Sequence, residues 1–233
     1  MERIVVRVLI ITSVCCFSKR HVYIAQDKTW KDAQKFCQDH FIDLSPITSE
    51  LEETVFRETI QNEIGWIGLH RDFRSSTGWK WSGGEDVTYQ NWNYGAYDGH
   101  DFIYWTNNGW ESDINGTRRH FFCFNMTLVE QRHTWENAMQ HCRQRQSNLS
   151  SLLSKTERLL VMREVRDAGL TGLVWTGLRY LGGSWLWVDA SPLAGDWHEG
   201  GNQCPKQNRC GALNAEGEWV TQDCKEEHSF ICH

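Results

Sequence analysis

Apolar positions recur at helical spacing in two stretches of like design. Trp30, Ala33, Phe36 and Cys37 fall on one helical face, as do Trp135, Ala138, Met139 and Cys142. Each set follows a threonine, Thr29 or Thr134, with Asp32 or Asn137 three residues on. That pattern predicts an N-cap, whose side-chain oxygen accepts a backbone N–H of the first turn. Second helices are expected from near Ser49 and Ser154, the latter running through ERLLVMREV. Between and beyond them lie short aromatic and β-branched runs broken by Gly and Asn, which read as strands and loops. Two helices followed by a loop-rich set of short strands is an α+β layout.

The layout occurs twice. TWKDAQKFCQDHFIDLSPITSELEE from Thr29 aligns with TWENAMQHCRQRQSNLSSLLSKTER from Thr134, and GWIGLHR (65–71) with VWTGLRY (174–180). WKWSGGE (79–85) matches WLWVDAS (185–191), and Asn91-Trp92 matches Asp196-Trp197. Gly109-Trp110 matches Glu218-Trp219, and HFFC from His120 matches SFIC from Ser229. Order and approximate spacing persist throughout, so the chain is a tandem duplication with domains at 22–123 and 124–233. HFFCF passes almost directly into NMTLVEQRHTW, with no flexible linker, which predicts a restricted orientation between the domains.

Taken together, the first-helix Trp and Cys, the WIGL-type core run, the W-x-W pair and the terminal F-x-C resemble the short-form C-type lectin-like domain. The likeness, to soluble and macrophage-mannose-receptor-like vertebrate lectins, covers Val22 to His233. It implies an α+β fold stapled by disulfides, in which short antiparallel strands form the loop-rich half. It implies an outer disulfide in each copy, Cys37 with Cys123 and Cys142 with Cys232, and an inner one, Cys210 with Cys224, in the second only. Counting from Trp110 as from Trp219 puts Asp101 and Asn115 at the inner positions of the first copy. Cys204 is left over. An interchain disulfide making a covalent dimer, a bridge to Cys16 and a loop thiol are its three readings.

Composition narrows the setting. The 233 residues carry a formal charge of −6 and no long Lys/Arg run, which gives no ground for a nucleic-acid partner. Thirteen tryptophans supply large apolar side chains for small cores. An early Arg3 and the apolar run from Val8 to Phe17 predict a signal peptide over residues 1–18 with an open cleavage point, a short signal anchor being the alternative. No later apolar stretch suggests a transmembrane segment. Seven further cysteines and three N-x-S/T sequons, at Asn115, Asn125 and Asn148, fit a secreted, extracellular glycoprotein.

In sugar-binding members of the family, Ca²⁺ is held by a Glu-Pro-Asn or Gln-Pro-Asp triplet, a Glu before the inner cysteine and a Trp-Asn-Asp triplet. Calcium needs such hard oxygen ligands in number. The second copy has Gly201, Asn202, Gln203, Asn208, Val220 and Thr221 at those places, with no carboxylate. The first has Ala96, Tyr97, Asp98, Glu111 and Ser112, so a residual weak cation site would rest on Asp98, Glu111 and Asp113. No cofactor is expected. Asn93, Tyr94, Tyr97, Asp98, Glu111, Gln203 and Asn208 are instead the candidate ligand contacts, on loops rich in aromatics and amides. Trp92, Trp110, Trp197 and Trp219 match core positions and are read as packing residues. No nucleophile motif, phosphate loop or zinc-ligand spacing occurs, and an enzyme is not expected. The chain reads as a lectin-like recognition protein for innate defence, binding glycan weakly or without calcium. A module for a cell-surface protein ligand is the alternative, and a structural or antifreeze-like role, as the resemblance also implies, is a third.

Overall fold

The computed structural model describes residues 20–93, 99–193 and 207–233. The expected leader at 1–18 lies outside them, as do Tyr94, Tyr97, Asp98, Trp197, Gln203 and Cys204. The first domain runs β1 (His21–Lys28), α1 (Trp30–His40), β2 (Asp43–Leu44), α2 (Glu50–Ile60), β3 (Gly65–Arg71) and β4 (Trp79–Trp81). It continues through β5 (Phe102–Thr106), β6 (Gly109–Asp113) and β7 (Arg119–Phe124). The second repeats the plan as β8 (Thr127–His133), α3 (Trp135–Gln144), α4 (Lys155–Asp167), β9 (Val174–Leu181) and β10 (Ser184–Trp187). It ends with β11 (Asn208–Leu213), β12 (Trp219–Asp223) and β13 (His228–Cys232).

The helices begin where local chemistry dictates. Thr29 and Thr134 accept the N–H groups of Asp32 and Asn137, and Ser49 and Ser154 those of Glu52 and Glu157. Both glutamates reach back to the residue before the cap, Glu52 to the Thr48 N–H and Glu157 to that of Leu153. This is a variant of the capping box. The first helix of each domain lies on its sheet through a buried tryptophan. Trp30 Nε1 donates to the Ile67 carbonyl at 2.8 Å, and Trp135 Nε1 to that of Thr176 at 2.8 Å.

Each sheet joins its domain's two ends. The first has the order β1-β7-β3-β5-β6, with β2 on β7 and β4 on β3. The second has the order β12-β11-β9-β13-β8, with β10 on β9. The entering and leaving strands pair antiparallel in both, β1 with β7 and β8 with β13. Disulfides Cys37–Cys123 and Cys142–Cys232 tie the first helix of each domain to its last strand, and Cys210–Cys224 closes the β11–β12 region.

Sheet register corrects one equivalence drawn from counting. Tyr104 lies opposite Trp66 and Phe102 opposite His70; in the second domain Ala212 lies opposite Trp175 and Cys210 opposite Arg179. Phe102, not Asp101, therefore occupies the place of Cys210. The turn between Trp105 and Trp110 is one residue shorter than that between Leu213 and Trp219, which shifts any count taken from the tryptophan. Where the second domain has the inner disulfide, the first stacks Phe102 on Trp30 at 5.2 Å between ring centres. Asp101 instead pairs with Arg71 at 3.2 Å.

Only Asn125 and Met126 separate β7 from β8, and the domains share one apolar cluster. Ile42 of the first and Phe124 and Met126 at the junction pack with Leu160, Val161, Met162 and Ile231 of the second. Beside it lies a buried ionic network. Arg20 donates to both Glu157 carboxylate oxygens at 3.3 Å and to the Ser151 carbonyl at 2.9 Å. Asp189 accepts from Ser151 Oγ at 2.6 Å and meets His233 Nε2 at 3.3 Å. Burial pushes the Glu157 carboxyl up to about 7 against the pull of Arg20. Burial lowers the His233 imidazole, although Asp189 opposes it. On the other flank, Arg163 reaches back across the junction to Asp43 at 2.9 Å and to the Ile42 carbonyl at 2.7 Å.

Candidate functional site

The long-loop surface of the first domain grows from an aromatic root. Trp110 is fully buried, and Trp81, Tyr89 and Trp92 meet its ring edge-on at 5.6, 5.6 and 5.8 Å. Beneath it, the buried Glu53 carboxylate accepts from Trp105 Nε1 at 2.6 Å and Trp110 Nε1 at 3.2 Å, and pairs with Arg57 at 3.0 Å. The loop backbone is sewn to β6: Trp110 N–H donates to the Asn91 carbonyl at 2.6 Å, and Asn93 N–H to that of Trp110 at 2.9 Å. Gly109 permits this close approach. Its φ is +121°, and a Cβ there would lie 2.7 Å from the Asn91 oxygen.

Of the sequence-predicted residues, the structure brings Asn93 and Glu111 together. Asn93 Nδ2 donates to Glu111 Oε1 at 2.8 Å, and the Tyr104 hydroxyl donates to Oε2 at 2.5 Å. Burial and the bond to Glu111 push the Tyr104 hydroxyl up to about 12. Asp113 is equally engaged. Its Oδ1 accepts from Ile114 N–H and Thr117 Oγ1 at 2.8 Å, and its Oδ2 from Arg119 at 2.5 and 3.0 Å. Burial works to raise the Asp113 carboxyl, but the bonds from Arg119 and Thr117 hold it below the usual carboxylate range.

These donors do not fit calcium. Arg119 already supplies a cation beside the carboxylates, its guanidinium 3.7 Å from the Tyr104 ring centre and bonded to Asp113. A divalent ion here would meet that positive charge and would have to strip Glu111 of its partners. Asp98, the third member of the residual set, lies outside the described residues. In the second domain Val220 and Thr221 pair with Ala212 and Gly211 in β12, and Val220 packs against the core. Asn208 is exposed at the start of β11, opposite Asp223.

The sequence matches the Lectin C-type domain family twice, over residues 26–125 and 131–233. The chain belongs to the C-type lectin family. Human lymphocyte antigen 75 is 24% identical over 250 residues, an alignment covering 88% of this chain and 14% of that protein. The rabbit secretory phospholipase A2 receptor is 23% identical, covering 88% of this chain and 17% of its own length. The chain thus spans only about a seventh to a sixth of these relatives. The crystal structure of human lithostathine is 25% identical, with a TM-score of 0.41, covering 46% of this chain and 80% of that one. Among the described residues of this lectin-like chain, no helix is long and apolar enough to cross a membrane.

Sequence reasoning missed Arg119 as the partner of Asp113, and Tyr104 as that of Glu111. Their alternation in β5 and β7 marked them only as strand residues. Trp92 is half-buried against the first core, and Trp219 packs at the edge of the second.

Proposed function

We propose that the chain is a secreted recognition protein whose domains bind glycan through their loop surfaces, with little or no help from calcium. The domains run over 22–123 and 124–233, behind a leader at 1–18. The observation that carries the reading is the engagement of Glu111 and Asp113 by Asn93, Tyr104 and Arg119. With its carboxylates so bound, the first domain must hold a ligand by direct hydrogen bonds and by stacking on aromatic faces. Asn93, Tyr94, Tyr97, Gln203 and Asn208 are the groups offered for that work, with Glu111 holding the Asn93 amide in place. The fold family consists generally of non-enzymatic binding proteins, in keeping with recognition in innate defence. Cys204 remains a candidate for an interchain bridge.

A glycan array probed with the secreted chain tests this reading, run once with calcium and once with chelator. The same glycans should be bound under both conditions. Binding lost with chelator would contradict the reading, and no glycan binding at all would turn it towards a protein ligand.

A further inference from the structure

The three sequons sit in different surroundings. Asn115 is exposed in the turn between β6 and β7. Asn148 is half-buried and exchanges both backbone hydrogen bonds with His233. Asn125 is half-buried in the two-residue step between the domains, its N–H donating to the Arg20 carbonyl at 2.7 Å. It lines a groove of about 260 Å³ whose walls come from both domains. Phe41 and Ile42 line it from the first domain, and Val161, Glu164 and Ile231 from the second, together with Thr127 of the same sequon.

This groove is smaller than the roughly 300–1,000 Å³ that usually houses a free small ligand, so a diffusing sugar would gain little from it. A sugar already tethered to its wall is different, because attachment removes most of the entropy cost of association. The lining also suits the inner sugar of an N-glycan. Apolar side chains and the half-buried Phe41 ring can cover its C–H face, while Glu164 and Thr127 offer acceptors to its hydroxyl and amide groups.

We propose that Asn125 carries an N-linked glycan whose innermost N-acetylglucosamine lies in this groove and staples the two domains together. In the modification, the Asn125 amide nitrogen attacks the anomeric carbon of a lipid-diphosphate-linked oligosaccharide. The C–N bond forms, the C–O bond to the diphosphate breaks, the lipid diphosphate leaves and the amide gives up one proton. Transfer to the unfolded chain lets the fold close around the sugar afterwards. The inference rests on the secretory route proposed above.

The test uses the full chain, with its own N-terminal segment, expressed in a eukaryotic secretory host. Site occupancy is read by peptide mass spectrometry, and glycan release by peptide:N-glycosidase is timed on native and denatured protein. Asn125 should be occupied, and its native release roughly tenfold or more slower than that of Asn115, because the enzyme must wait for local opening. Denaturation should abolish the difference, and Thr127→Ala, which keeps the asparagine, should lower the melting temperature. Sugar on Asn115 with Asn125 bare, or equal native release from both, would overturn this inference alone. A chain bare at all three sites and retained in the cell would overturn it together with the secretory route.

Discussion

Arg20→Ala is expected to lower folding stability by about 3–5 kcal/mol, because it leaves buried Glu157 without its cationic partner. The side chains of Arg20 and Glu157 are 5% and 0% exposed, so water cannot replace the lost pair. For a chain of this size that corresponds to a melting temperature lower by roughly 6–20 °C. The loss falls on the junction. Arg20 precedes the first strand of one domain, whereas Ser151 and Glu157 frame the start of α4 in the other. A combined Arg20→Met and Glu157→Leu replacement should recover most of the stability, since apolar side chains of similar volume often substitute well for a buried ion pair. Thermal unfolding followed by circular dichroism measures both variants. A shift below about 2 °C for Arg20→Ala would show that the network contributes little.

Removing an outer disulfide is expected to cost more than removing the inner one. Cys37 and Cys123 are 86 residues apart, Cys142 and Cys232 are 90 apart, and Cys210 and Cys224 only 14. Chain-entropy reasoning gives about 4.6 kcal/mol for either long loop and about 3 kcal/mol for the short one. All three bridges sit in the cores, with Cys37, Cys123, Cys142 and Cys210 fully buried, so lost packing adds to every replacement and loop length sets the difference. Urea unfolding of Cys37→Ser with Cys123→Ser, beside Cys210→Ser with Cys224→Ser, gives the comparison. A larger loss from the inner pair would show that native packing, rather than loop closure, sets the scale.

Local features of the fold were legible in the sequence because their causes are local. Thr29, Ser49, Thr134 and Ser154 cap their helices within three residues, and the buried faces of α1 and α3 follow the helical period. The repeat carried the tandem architecture, since each copy buries the same tryptophan against the same strand. Pairings across long stretches of chain were not legible. Arg20 meets Glu157 at a separation of 137 residues, and a basic residue beside an expected leader carries no sign of burial. The place of Phe102 escaped counting because one turn is a residue shorter, a difference that only strand register resolves. The site was legible in part. Asn93 and Glu111 do come together, but Glu111 is engaged by the Asn93 amide and the Tyr104 hydroxyl, and Arg119 arrives from β7 to claim Asp113.

Whether these carboxylates are committed within the protein is decided most directly by calorimetric titration of the secreted chain with calcium. The extracellular modules that bind calcium weakly do so at about 0.1–1 mM, and no saturable heat should appear up to roughly 1 mM. Saturable one-site uptake below that concentration, abolished by Glu111→Gln, would show that calcium displaces Asn93 and Tyr104 and would contradict the account.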